Sequence, residues 1–122
     1  MEALRPEALG SVGDAVVVLT DAMFWERRQK IVDLVGVARI PAVYPEREFT
    51  DDGGLMAYGP SVPDNFRRAA DYVDRIIKGA RAAELPIQEP VKFDLIVNLK
   101  TAKTLGLTIP RTIFARVDEV IE

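Results

Sequence analysis

Residues 15–44 read AVVVLTDAMFWERRQKIVDLVGVARIPAVY, and this stretch decides the fold. Residues 15–19 are apolar throughout and rich in β-branched side chains. A run without polar alternation predicts a strand covered on both faces, as in a parallel sheet. Thr20 and Asp21 end it, and Asp21 suits the N-cap of a helix over 22–37. Phe24, Ile31, Val32 and Val35 fall on one stripe of that helix, while Glu26 and Lys30 form an i,i+4 pair on another. Residues 39–44 read as a second short strand. Strand, helix and strand within about 30 residues make a βαβ unit, whose crossover is expected to be right-handed.

Outward from this unit the alternation continues. Residues 45–54, PEREFTDDGG, read as loop. Residues 55–58 read as a third strand, broken by Gly59-Pro60. Ser61 opens a helix over 61–79 with Pro63 and Asp64 in its first turn and Gly79 at its end. Val62, Phe66, Ala69, Ala70, Val73, Ile76 and Ile77 recur along it at steps of three and four. Arg67–Asp71, Asp71–Arg75 and Asp74–Lys78 are i,i+4 pairs on the opposite face. Residues 80–90, with Pro86 and Pro90, read as linker. Residues 93–97 read as a fourth strand, ended by Asn98, which caps a helix over 100–105 closed by Gly106. A last helix is expected over about 111–120, opened by Pro110. A short helix over 2–9 precedes the whole. The pattern predicts one α/β domain over 1–122, three-layered, with a mostly parallel sheet.

Composition narrows the function. The chain has 122 residues, 48% hydrophobic and 29% charged, with 16 Lys plus Arg against 19 Asp plus Glu, a net charge of −3. No cationic field is present to hold a phosphate backbone, so nucleic-acid binding is disfavoured. There is no Cys and no His. Thiol nucleophiles, disulfides, zinc–thiolate sites and imidazole bases are excluded, and catalysis is disfavoured with them. No apolar run is long enough to span a bilayer. Met1-Glu2-Ala3-Leu4-Arg5-Pro6 lacks the basic segment and apolar stretch of a signal peptide.

Ligands of parallel α/β sheets bind outside the carboxyl ends of the strands. Residues 20–25 occupy such a place. Asp21 there is either a plain cap or an acceptor for a ligand ammonium, and Phe24 and Trp25 either pack or wall an apolar group. Glu46, Glu48, Asp51 and Asp52 lack the spacing of a calcium loop, so a solvated loop is expected rather than a metal site. Gly53-Gly54 has neither a dinucleotide fingerprint nor a P-loop lysine. No cofactor is implied. Asn98 reads as a cap.

Several blocks in order carry a resemblance. They are Ile40-Pro41-Ala42-Val43-Tyr44, Arg47-Glu48-Phe49, Gly53-Gly54-Leu55-Met56-Ala57-Tyr58-Gly59-Pro60 and Tyr72-Val73-Asp74-Arg75-Ile76-Ile77-Lys78-Gly79. Lys92-Phe93-Asp94-Leu95-Ile96-Val97-Asn98-Leu99-Lys100-Thr101-Ala102 and Leu105-Gly106-Leu107-Thr108-Ile109-Pro110 follow. Over residues 15–122 the chain resembles the C-terminal part of ABC-transporter substrate-binding proteins, the family that includes tryptophan/tyrosine-type binding proteins. The resemblance implies one lobe of a periplasmic-binding-protein-like fold, with residues 61–122 packing on a first lobe in longer relatives. It implies a small organic solute such as an amino acid, an ABC permease as partner, a periplasmic or cell-envelope location, and no catalysis. By position it implies a ligand contact set of Thr20, Asp21, Phe24, Arg47, Glu48, Ala57, Tyr58 and Gly59. Ala22 departs from the proline common there in the family. Without a first lobe, exposed apolar surface is expected to favour a homodimer. A dimerising module that has lost solute binding is therefore the alternative. A phosphoacceptor domain is disfavoured, because Asp21 has no second acid beside it.

Overall fold

The computed structural model describes residues 14–122, so the expected helix over 2–9 lies outside the described residues. The elements run β1 (Val16–Val17), α1 (Ala22–Glu26), α2 (Arg28–Ala38), β2 (Ala42–Tyr44), α3 (Arg47–Asp51) and β3 (Met56–Pro60). They continue α4 (Val62–Ile77), a 3-10 turn (Ala82–Glu84), β4 (Phe93–Asn98), α5 (Leu99–Leu105), α6 (Arg111–Phe114) and β5 (Glu119–Ile121). The five strands form one sheet in the order β1-β2-β3-β4-β5. β1 pairs parallel with β2 (Val16↔Ala42), β2 with β3 (Tyr44↔Ala57) and β4 with β5 (Val97↔Val120).

The junction between β3 and β4 differs. The Ser61 amide donates to the Lys92 carbonyl and the Asn98 amide to the Leu55 carbonyl, each at 2.9 Å. Partners at rising numbers on one strand thus meet falling numbers on the other, which makes this pair antiparallel. β4 and β5 therefore start at the edge where β1, β2 and β3 finish.

The chain divides into two compact units. Among the described residues, one holds 14–59 together with Asp94–Glu122, and the other is Pro60–Phe93. Residues 94–122 thus group with the βαβ unit, and α4 and the 80–92 segment stand in the second. The first unit's core gathers Val18, Ile31, Val32, Val35, Ala42, Tyr44 and Phe49, with Val16 and Phe24 packed against it. Leu55, Ile96, Val97 and Ala102 are also buried there.

Four sequence expectations are corrected. The 22–37 helix is two helices, interrupted at Arg27, whose backbone leaves the helical well (φ −109°, ψ 19°). Residues 45–54 are not a solvated loop. Arg47–Asp51 form a helical turn because Phe49 and Thr50 are fully buried and pull the segment onto the core. Gly59-Pro60 do not break β3, which runs through both. The last helix stops at Phe114, and Glu119–Ile121 instead form β5, since Val120 can extend a sheet edge beside Val97. The caps are as read. Asp21 Oδ1 accepts from the Met23 amide at 2.8 Å, and Asn98 Oδ1 from the Thr101 amide at 3.0 Å. Gly106 closes α5 at φ 73°, in the left-handed region.

Candidate functional site

The segments that follow β1 and β2 leave the sheet at one edge of the first unit, beside β3. Of the expected contact set, Thr20 and Asp21 lie between β1 and α1, Phe24 in α1, Arg47 and Glu48 in α3, and Ala57, Tyr58 and Gly59 within β3. Beyond β1, Thr20 and Asp21 are exposed, and Asp21 spends one carboxylate oxygen on capping α1. Phe24 is partly buried against the core, so its ring serves packing. Trp25 likewise meets Phe49 edge-on, with ring centroids 6.5 Å apart, and carries the Arg28 guanidinium 5.2 Å above its own ring.

Beyond β2 the chain turns through Pro45 and Glu46 into α3. Glu46 accepts a side-chain hydrogen bond from Thr20, which ties the first loop to the second. Its carboxyl nevertheless sits above its ordinary value, because partial burial disfavours the anion and Glu48 adds a like charge. Arg47 forms a fork with Glu119. Its Nη1 bonds Oε2, Nη2 reaches Oε1 at 2.7 Å, and Nε lies 3.2 Å from Asp51 Oδ2. The Arg47 hydrogen bond holds the Glu119 carboxyl below its ordinary value. The arrangement commits Arg47 to bracing α3 against β5 rather than leaving its charge for an incoming molecule.

Within β3 the three residues have different roles. Ala57 is buried at the sheet's inner face. Tyr58, next in the alternation, is 56% exposed. Gly59 packs directly on the turn before α3, since a Cβ there would lie 1.9 Å from the Pro45 carbonyl oxygen. Its hydrogen is what lets β3 and the Pro45 turn approach each other. Neighbouring anchors fix α3 from behind. Thr50 Oγ1 donates to the Arg47 carbonyl (2.5 Å), Asn98 Nδ2 to the Thr50 carbonyl (3.2 Å) and Thr101 Oγ1 to the Gly53 carbonyl (2.8 Å).

Sequence reasoning missed Glu119 and the tie between Thr20 and Glu46. Glu119 lay inside an expected helix. The signal that could have found it was Val120-Ile121, two β-branched residues at the end of a segment that starts with helix-breaking Pro110. Tyr44 carries no ionisable role, because burial pushes its hydroxyl up to about 12. Among the described residues, no group of three or more acids is placed to hold a metal ion, and no helix is long and apolar enough to cross a membrane.

The two shifted carboxyls give a pH signature. Glu119 is lowered in the fold, so its pairing with Arg47 stabilises above the unfolded carboxyl value and is lost as pH falls through the folded one. Glu46 is raised, so its effect has the opposite sign. Its protonated form favours the fold, and that contribution disappears as pH rises through its folded value. Carbon-detected NMR titration is expected to place Glu46 above and Glu119 below the ordinary glutamate midpoint. Arg47→Gln should return Glu119 upward and leave Glu46 raised. Two coincident, ordinary midpoints would contradict this geometry.

The sequence of residues 5–121 matches the family described as ABC transporter substrate binding protein. The chain therefore belongs to that family. No curated protein matches it. Three solved structures share its fold. A conserved domain protein from Vibrio cholerae O1 biovar El Tor superposes at a TM-score of 0.86 and 22% identity, over 98% of this chain and 41% of that one. An ABC domain from Streptococcus pneumoniae, solved in complex with L-Trp, superposes at 0.84 and 22% identity, over 95% and 40%. The ligand-free, open form of a substrate binding protein with adhesive properties from Clostridium difficile superposes at 0.70 and 20% identity, over 95% and 39%. The chain thus spans about two fifths of the length of each.

Proposed function

We propose that the chain provides one wall of a solute site for an ABC import system, binding a small organic solute such as an amino acid without catalysis. The observation that carries this reading is the meeting of the segments after β1 and β2 with Tyr58 and Gly59 of β3 at one sheet edge, in a member of a substrate-binding family. Tyr58 supplies an exposed aromatic face. Asp21 and Glu48 supply acceptors for an ammonium group, and Thr20 a hydroxyl. Arg47, Ala57 and Gly59 act by positioning, since the first is held by Glu119, the second is buried in the sheet and the third packs on the Pro45 turn. The L-Trp bound to the Streptococcus pneumoniae neighbour supports an amino acid as the solute class. The partner is an ABC permease, and the place of action is the periplasm or cell envelope, where the family usually works. The domain organisation we propose is a single α/β domain over 1–122 that answers to the C-terminal part of a two-lobed protein. In longer relatives, residues 61–122 pack partly on a first lobe.

A ¹H–¹⁵N NMR titration of the chain with pooled amino acids and small carboxylates tests the reading. Saturable shifts at residues 20–25 and 57–59 are expected, and Tyr58→Ala should weaken them by about tenfold. A well-dispersed spectrum with no shift in either segment would refute solute binding by this chain. The second reading, a dimerising module without solute affinity, would then stand. It is favoured by the exposed apolar stripe of α4.

A further inference from the structure

Glu119 opens β5, and strand direction brings it to the solute edge. β4 runs antiparallel to β3 and parallel to β5, so β5 starts at the edge where β2 ends. That start is fixed to its neighbour. The Leu95 amide donates to Asp118 Oδ2 at 2.8 Å, and the Asp118 amide to the Leu95 carbonyl at 2.9 Å. Arg47 reaches this point from α3. Its Nη1 and Nη2 donate to the two Glu119 oxygens, and its Nε lies 3.2 Å from Asp51 Oδ2, one turn along the same helix. The two acids do different things. Asp51 aims the guanidinium, while Glu119 fills the pair of N–H groups whose planar fork fits a carboxylate. Each side chain of the Arg47–Glu119 pair is 46% exposed. The fork is thus within reach of a solute, but its donors are occupied. Further acids stand around it: Glu46 and Glu48 on the same segment, and Asp94 near Glu119.

We propose that Glu119 is a specificity-determining residue of this edge: by occupying the Arg47 fork it closes the edge to carboxylates and leaves it to read an ammonium group. The inference rests on the reading of the edge as a solute wall, and it names the part of the solute that the wall recognises. Competition favours Glu119 over a free carboxylate. Glu119 is tethered opposite Arg47, at an effective concentration on the order of millimolar or above, so a solute carboxylate at micromolar concentration does not displace it. That carboxylate would also approach Glu119 and Asp51 at like charge. An ammonium meets the opposite field. Asp21 and Glu48 accept from it, and the Arg47 charge that would repel it is offset at 2.7 Å by Glu119. Removing the Glu119 carboxylate, while Asp51 keeps its hold on Nε, leaves both Nη groups directed at the vacated space. The edge then gains a carboxylate receptor, and its preference moves from ammonium toward carboxylate. Loss of a merely structural tie would weaken both together.

Benzylamine and phenylacetate test it, because they share a ring and a methylene and differ in the charged group. NMR shifts of the backbone amides and of the Arg47 Nε–H give the affinity of each probe for the wild-type chain and its variants. The wild-type chain is expected to respond to benzylamine at residues 20–21 and 48, and only weakly to phenylacetate. Glu119→Ala should tighten phenylacetate by about fivefold or more, with shifts at Arg47, and weaken benzylamine severalfold. Glu119→Asp keeps the charge and should hold the wild-type preference. Arg47→Gln added to Glu119→Ala should abolish the gain. Circular dichroism checks that each variant folds, and Glu119→Gln replaces Glu119→Ala if that variant does not. Phenylacetate affinity unchanged by loss of Glu119 overturns the proposal. So does a gain that persists without Arg47, or a fall in affinity for both probes. The solute reading fails separately, on a wild-type chain that responds neither to the probes nor to the amino acid pool. The phenylacetate response of Glu119→Ala is read in that case too, so the two failures are distinguishable.

Discussion

Gly59→Ala is expected to destabilise the first unit by about 2–3 kcal/mol or more, a fall in Tm of roughly 10–20 °C for a domain of this size. The added methyl would sit 1.9 Å from the Pro45 carbonyl oxygen and 3.0 Å from its carbon. Both contacts are backbone, so no side-chain rotation relieves them. Either β3 leaves its register with β2, or the Pro45-Glu46 turn moves outward and takes Arg47 with it. The second route has its own readout, because a displaced Arg47 releases Glu119 and its carboxyl returns toward the ordinary value. Gly36→Ala serves as the control. No atom lies within 4 Å of a Cβ at Gly36, and the residue is inside α2, where alanine is favoured over glycine by up to about 1 kcal/mol. Thermal unfolding followed by circular dichroism should move in opposite directions for the two variants. Equal, small shifts would mean that Gly59 is not in close contact with the turn.

Phe49→Ala is expected to cost about 3–5 kcal/mol, a large share of the stability of a small domain. Phe49 is fully buried, its ring stacked on Tyr44 at 5.0 Å and 16° and met edge-on by Trp25. Removing it opens a cavity under α3 and leaves two aromatic neighbours without a partner. The result discriminates between two views of the same ten residues. If 45–54 were a solvated loop, truncating one of its side chains would change stability by less than about 0.5 kcal/mol. Urea unfolding of Phe49→Ala beside Glu48→Ala, in which an acid of the same turn is truncated instead, makes the comparison within one helical turn.

The regular parts of the fold were legible because they repeat. The 15–44 stretch showed the order of strand, helical region and strand by periodicity, but not the break at Arg27 nor that Val17 and Leu19, read as covered on both faces, are exposed. Asp21, Asn98 and Gly106 marked element ends by side-chain chemistry that acts within a few residues. α3 and β5 were not legible. Each is held by long-range partners: the burial of Phe49 and Thr50 against the core, and the pairing of Val120 with Val97. Of the candidate site, the position of Thr20 and Asp21 between β1 and α1 followed from chain order. The work done by Gly59 and Arg47 did not, because it depends on Pro45 and on Glu119, 14 and 72 residues away in sequence.

The sequence by itself determined an α/β chain without thiol or imidazole chemistry, with an amphipathic helix over 61–79 and a family resemblance that the match over residues 5–121 establishes. Those properties reside in composition and in periods of two to four residues. Only the tertiary structure decided that Phe49 and Thr50 are drawn into the core, that Arg47 is spent on Glu119, and that β3 and β4 run antiparallel. Burial, ion pairing and strand direction are relations between distant segments, and a local pattern carries only the capacity for them.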